Sequence, residues 1–228
     1  MMKVHLENLN KIEKLNYFSE SNGFQEHKKE AIQILKRTIC FLNKFNINHC
    51  LISGTLLGCV RHNDFIPWDD DIDLLVEDTI FEKLQNISDD FNDINILFKD
   101  KDDIIKSCFL NGKEIIDPDN WKEYSLKNKR KYCWPFIDMF TYSLKKDKIF
   151  FFIKDWNIND FLPFKKVDFL GIEVCIPKNP DYFLRSNYGN DYMTKAVSPS
   201  FSHKKERSIC HTETAYLKEI EGQNAKKK

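Results

Sequence analysis

Between His27 and Phe45 the apolar residues Ile32, Leu35, Ile39, Leu42 and Phe45 return every three or four positions, with lysines and Arg37 between them. That spacing predicts an amphipathic helix with one face in a core. The pattern then shortens. HCLIS (49–53) is a brief apolar run halted by Gly54, as in a buried strand. TLLGCVRH behind it reads as a short helix capped by Thr55. Pro67, within NDFIPW, holds Ile66 extended and ends helical structure. From 71 to 76 the chain alternates, DIDLLV. In a strand this puts Asp71 and Asp73 on one face and Ile72 and Leu74 on the other.

Further along, Phe81, Leu84 and Ile87 predict a helix, and 94–98 and 106–110 predict strands, with a turn at NGK (111–113). CWPFIDMFTY (133–142) is an apolar run with one acid, Asp138, inside it. VDFLGIEVCIP (167–177) has the form of a hairpin turning near Gly171. PDYFLRSNYG (180–189) has the form of a helix closed at Tyr188 and Gly189. No repeat, low-complexity linker or break in composition divides the chain, so one domain over 1–228 is expected, frayed at its end.

Composition excludes more than it assigns. Lys+Arg and Asp+Glu both total 35, so no global basic field supports binding to nucleic acid. The seven cysteines are odd in number and scattered without a CxxC pair, which predicts mostly buried thiols in a reducing compartment. The start of the chain lacks the apolar run of a signal peptide, and IFFFI (149–153) is far short of the roughly 20 residues that span a bilayer. A cytoplasmic protein is expected, and peripheral contact with the inner face of a membrane is compatible with it. KNKRK (127–131) reads as a solvated loop in preference to a contact for an anionic acceptor or membrane. His203, Cys210 and His211 make no zinc spacing.

The chemistry concentrates in GTLLGCVRHNDFIPWDDDID (54–73), which crowds Asp69, Asp70, Asp71 and Asp73 beside a buried strand. Like charges so placed call for a cation or for protonation. The 1, 3, 5 spacing of Asp69, Asp71 and Asp73 fits a calcium loop, but Leu74 and Ile80 stand where that loop needs glycine and glutamate. Magnesium fits better, since it takes a few carboxylates and keeps water and phosphate oxygens. Asp71 and Asp73 supply that partial shell, while Asp69 and Asp70 fall in the loop leading to it. Gly54 and Thr55, opening a short helix, offer backbone N–H groups to phosphate. Arg61 is either a bidentate phosphate contact or a surface arginine. Asp138 is either a third carboxylate of the site or a buried acid satisfied by backbone or a lysine. His62 either touches substrate or lies behind the site or at the surface, and Trp68 either packs beneath the loop or helps shape the donor pocket.

Taken in order, this block resembles the nucleotidyltransferase fold, and more narrowly the LicD family, a bacterial phosphocholine-transferase group related to fukutin. The resemblance continues through FIDMF (136–140) and LPFKKVDFLGIEVCIPKNPDYFLRSNYGNDYM (162–193), covering about 27–193. Cys59 departs mildly from the family, which has a small residue there. The resemblance implies an α+β fold with a mixed sheet flanked by helices. It also implies transfer of a phospho-alcohol from a CDP-activated donor such as CDP-choline to a hydroxyl of a cell-surface glycan or glycolipid. In that reading Gly54 and Thr55 hold donor phosphates, with Arg61 as a clamp. Asp71 and Asp73 bind Mg2+ or Mn2+, and Asp138 is a third ligand or the base for the acceptor hydroxyl. The same acids would also serve transfer of NMP from an NTP.

Overall fold

The stripe at 27–45 folds as helix α1 (Lys28–Lys44), whose buried face is Ala31, Ile34, Leu35, Thr38, Ile39, Phe41 and Leu42. The structure is a computed structural model, and it describes residues 13–84, 94–99, 104–114, 123–125, 133–205 and 207–224. Behind α1 come β1 (His49–Leu51), α2 (Ser53–His62), β2 (Ile72–Glu77) and α3 (Ile80–Leu84). Then follow β3 (Ile94–Lys99), β4 (Ile104–Glu114), β5 (Glu123–Ser125) and the long β6 (Cys133–Lys145). A hairpin of β7 (Lys148–Phe151) and β8 (Lys154–Asn157) leads into α4 (Ile158–Phe161). A second hairpin, β9 (Lys165–Phe169) and β10 (Ile172–Ile176), precedes α5 (Pro180–Tyr188). The C-terminal part holds β11 (Lys195–Val197), β12 (Phe201–Ser202), β13 (Arg207–Ser208), β14 (Thr214–Tyr216) and α6 (Leu217–Asn224).

The main sheet runs β1-β2-β6-β4-β3-β5, with β7 and β8 continuing from the far end of β6. It is mixed: β2 and β6 are parallel, while β1–β2, β4–β6, β3–β4 and β3–β5 are antiparallel. Strands β2 and β6 lie inside the sheet, which is why residues on both faces of each are buried. α1 packs on β4 and β6, and the buried Thr38 and Ser107 hydroxyls meet at 2.8 Å to pin that contact. Helices with a mixed sheet make the architecture α+β, as expected. Among the described residues no helix is long and apolar enough to cross a membrane.

Several local expectations shift. The strand at 49–53 stops at Leu51, because Ser53 takes a left-handed φ of 49° and opens α2. The helix cap is therefore Ile52, without a side-chain bond, and Thr55 lies inside the first turn. The turn expected at NGK is absent, since β4 runs on through Glu114 with a register irregularity between Cys108 and Lys113. Such a bulge passes the three polar residues without ending the strand. Of the seven cysteines only Cys50, Cys108 and Cys133 are buried, and Cys40 and Cys210 are exposed, fewer buried thiols than their apolar character suggests. Ile87 and KNKRK (127–131) lie outside the described residues.

Candidate functional site

Two ties between α2 and β2 set the acids in place. The Thr55 hydroxyl, buried within α2, accepts from the Asp73 backbone N–H at 2.8 Å. The Gly54 backbone N–H, near the Asp73 carboxylate, opposes part of the rise in its pKa. Gly54 also keeps room: a Cβ there would meet Asp69 Oδ2 at 2.5 Å. The glycine thus lets a carboxylate from the following loop lie against the start of the helix.

The parallel β2–β6 pairing sets Asp73 opposite Asp138, and the antiparallel β4–β6 pairing sets Lys106 opposite Asp138. Three adjacent strands thus line up Asp73, Asp138 and Lys106. Lys106 Nζ is 2.6 Å from Asp138 Oδ1, with side chains only 4% and 8% exposed. The same ammonium lies 3.7 Å from the centroid of Phe136. Of the two readings left open for Asp138, a lysine partner is therefore present, and the acid still stands beside Asp73.

Asp69, Asp71 and Asp73 line one cavity of about 470 Å³, and Asp138 lies close enough for its charge to act on two of them. Burial, then the charges of Asp71, Asp138 and Asp69, push the Asp73 carboxyl well above its usual range. Burial raises Asp69 in the same way, followed by the charges of Asp71 and Asp70. Asp71 is also raised by burial, less so because His203 opposes the shift. His203 Nε2 lies 3.1 Å from Asp71 Oδ2. This is an electron-rich, oxygen-donor pocket whose acids resist becoming anionic together.

Sequence reading missed three parts of this. Asp69 lines the cavity itself. Asp70 is a latch: its buried carboxylate accepts from Ser202 Oγ (3.1 Å), His203 N (3.1 Å) and Lys204 N (2.9 Å). His203, set aside because it made no zinc spacing, is delivered onto Asp71 by that latch. Only chain folding brings 70 and 203 together, so no local pattern could have shown it. Arg61 does line the cavity, but its Nη1 donates to Tyr192 O (2.8 Å) and Lys195 O (3.1 Å) and its Nε to His62 Nε2 (2.9 Å). Burial holds His62 down to about 4, with the Arg61 charge adding to it, so His62 is a neutral acceptor behind Arg61. Burial lowers Arg61 to about 10, which leaves it cationic at neutral pH. Trp68 is buried, edge-on to Phe18 at 5.2 Å, and both Trp68 and Tyr188 line the cavity.

The donor set suits a hard divalent cation such as Mg2+ or Mn2+. Among the described residues no group of three or more His, Cys, Asp or Glu side chains is placed to hold a metal ion together. Magnesium does not ask for such a group, because waters and substrate oxygens fill its shell.

Residues 46–179 match the family model described as LicD/FKTN/FKRP, nucleotidyltransferase domain. An uncharacterized protein of Rickettsia typhi is 32% identical over 168 residues, covering 68% of this chain and 44% of its own length. Another, of Rickettsia prowazekii, is 33% identical over 163 residues, covering 68% of this chain and 53% of its own. The lipopolysaccharide cholinephosphotransferase LicD of Haemophilus influenzae is 32% identical over 63 residues, 28% of this chain and 24% of its own. The chain thus spans about half the length of the two rickettsial relatives.

Proposed function

Because the chain belongs to the LicD/FKTN/FKRP nucleotidyltransferase-domain family, we propose that it transfers a phospho-alcohol, such as phosphocholine, from a CDP-activated donor to a glycan hydroxyl. The observation that carries the reading is the convergence of Asp69, Asp71 and Asp73 on one cavity, with Asp138 beside them in register. Four carboxylates around a cleft suit a donor diphosphate only if positive charge comes with it. A divalent cation held by Asp71 and Asp73 would neutralise the diphosphate.

The chain's own residues supply position and proton transfer. Thr55 fixes the backbone of Asp73, and the Gly54 N–H favours its carboxylate. His203 fixes Asp71. Arg61 lends its charge to the donor phosphates from the far wall. Asp138, oriented by Lys106, takes the proton of the acceptor hydroxyl. The acceptor oxygen then bonds to the phosphorus of the phospho-alcohol as the bond to CMP breaks, and CMP leaves. Thr55 acts in this scheme through Asp73, because its hydroxyl is already committed there.

Incubating the protein with Mg2+, CDP-choline and a glycan acceptor should release CMP. The family model's own description supports a second reading, NMP transfer from CTP or ATP, and release of pyrophosphate in place of CMP would establish it. Asp71→Ala and Asp73→Ala should each lower turnover about a hundred- to a thousandfold, the range of a lost electrostatic anchor in a catalytic site. Turnover that survives either change would remove the acids from the chemistry.

A further inference from the structure

The hairpin of β7 and β8 turns on Phe152 and Ile153, both in the left-handed region, with φ of 50° and 59°. Two successive left-handed residues favour Asn, Asp and Gly. A bulky or β-branched side chain is strained there. The β9–β10 hairpin meets the same demand with Leu170 and then Gly171, at 57° and 75°. At β7–β8 the chain places two large apolar groups instead. Ile153 is 95% exposed, against 57% for Val197 and 52% for Tyr216, the next most exposed large apolar residues among those described. Phe152 is 43% exposed and rests against Phe140 with centroids 4.7 Å apart. Backbone and water both disfavour this tip, so an outside contact is the economical reason for it.

The surroundings select the partner. Ile149, Phe151 and Trp156 are buried and share one face of the hairpin. The register therefore gives Lys145, Lys148, Phe150 and Asp155 to the opposite face. Lys145 Nζ lies 4.0 Å from the centroid of Phe150, and Lys154 Nζ lies 3.9 Å from that of Trp156 beside the tip. Lys146 is exposed at the other end of β7. Residues 145–155 carry Lys145, Lys146, Lys148 and Lys154 against Asp147 and Asp155, a net excess of cations, with Lys154 on the Trp156 side and bonded to Ser186 Oγ at 3.1 Å. Asp78 and Glu82, which share a cavity with Phe150, Phe151 and Phe152, bound the basic surface towards α3. Apolar groups at a tip with cations along the flank match the boundary between headgroups and acyl chains of an anionic bilayer.

We propose that the β7–β8 hairpin docks this protein on an anionic lipid bilayer, with Phe152 and Ile153 entering the headgroup boundary and the lysines lying at headgroup level. Neither the acids nor their cavity enters this inference, so it holds or fails apart from the transferase reading.

The test is co-sedimentation of the full chain with phosphatidylglycerol/phosphatidylcholine vesicles and with phosphatidylcholine alone. The double substitution F152N/I153G gives the turn the Asn-Gly pair its backbone prefers. It should weaken binding to the anionic vesicles at least about tenfold, while Tm stays equal or rises because the turn is relieved. Lys145→Glu with Lys148→Glu keeps the tip and should remove the preference for anionic lipid, each lysine being worth roughly fivefold. Failure of the native chain to sediment with anionic vesicles would overturn the proposal, as would undiminished binding by F152N/I153G. Self-association that F152N/I153G abolishes, without vesicle binding, would assign the tip to a second copy and overturn it equally.

Discussion

At the scale of single residues the site is a conflict between carboxylates, and Asp73 shows it most directly. Its folded-state carboxyl is pushed well above the usual 3.8, by burial first and by Asp71, Asp138 and Asp69 after it. A group raised in this way contributes stability at low pH and loses it as pH climbs through the folded value. Asp73→Asn removes that loss. In the presence of EDTA, the variant's unfolding free energy from chemical denaturation should match the native value near pH 4 and exceed it increasingly as pH rises, by roughly 1.4 kcal/mol per pH unit within the window. Saturating Mg2+ should shrink the gap by restoring the native chain. A gap that does not change with pH would mean that Asp73 is not strained by its neighbours. The sequence showed Asp71 and Asp73 because a strand alternates. It did not show Asp69 as a wall residue, since the close approach of Asp69 to Gly54 depends on where a loop folds and not on any period.

At the scale of elements, β2 and α2 were legible and the attachment of the C-terminal segment was not. Two runs each carrying an acid were visible as strands, but their parallel pairing, Asp73 opposite Asp138, appears only in the fold. Lys106 was hidden because its strand, β4, reads as ordinary and only the register reveals the partner of Asp138. The β7–β8 hairpin was hidden too, since its turn lacks the glycine or asparagine that marks such turns. Asp70 is the element-scale device: one carboxylate holds Ser202, His203 and Lys204 against the loop that leads into β2. Asp70→Ala should cost about 2–4 kcal/mol, because buried donors lose a charged acceptor. The measurement is chemical denaturation alongside kinetics. KM for the donor should rise together with the stability loss, because the segment carrying His203 comes away from Asp71. Asp70→Asn, which keeps an acceptor oxygen, should recover part of both. A stability loss with unchanged kinetics would reduce Asp70 to a purely architectural role.

At the scale of the whole molecule, the cavity is built by two stretches far apart in the chain. Nine of its lining residues fall between Ser53 and Asp73 and nine between Asn187 and His203. The first stretch lies inside the family match at 46–179 and the second lies beyond it. The acids that line the cavity come entirely from the first. The second brings Lys195, Ser198, Ser200, Phe201 and His203, polar and aromatic side chains without a carboxylate. Arg61 ties the halves together through Tyr192 O and Lys195 O, and Asp70 does so through 202–204. A donor seated in the cavity should therefore order both halves at once. Hydrogen exchange followed by mass spectrometry tests this on the intact chain: Mg2+ with CDP-choline should slow exchange at 53–73 and at 187–203 together, whereas Mg2+ alone should act mainly on the first. Protection confined to 53–73 in the presence of donor would show that the second stretch is a lid over an empty space and takes no part in recognition. If both halves respond, substitutions between Lys195 and Phe201 should change which donor is used while leaving the acids' chemistry in place, because the two tasks reside on separate pieces of chain.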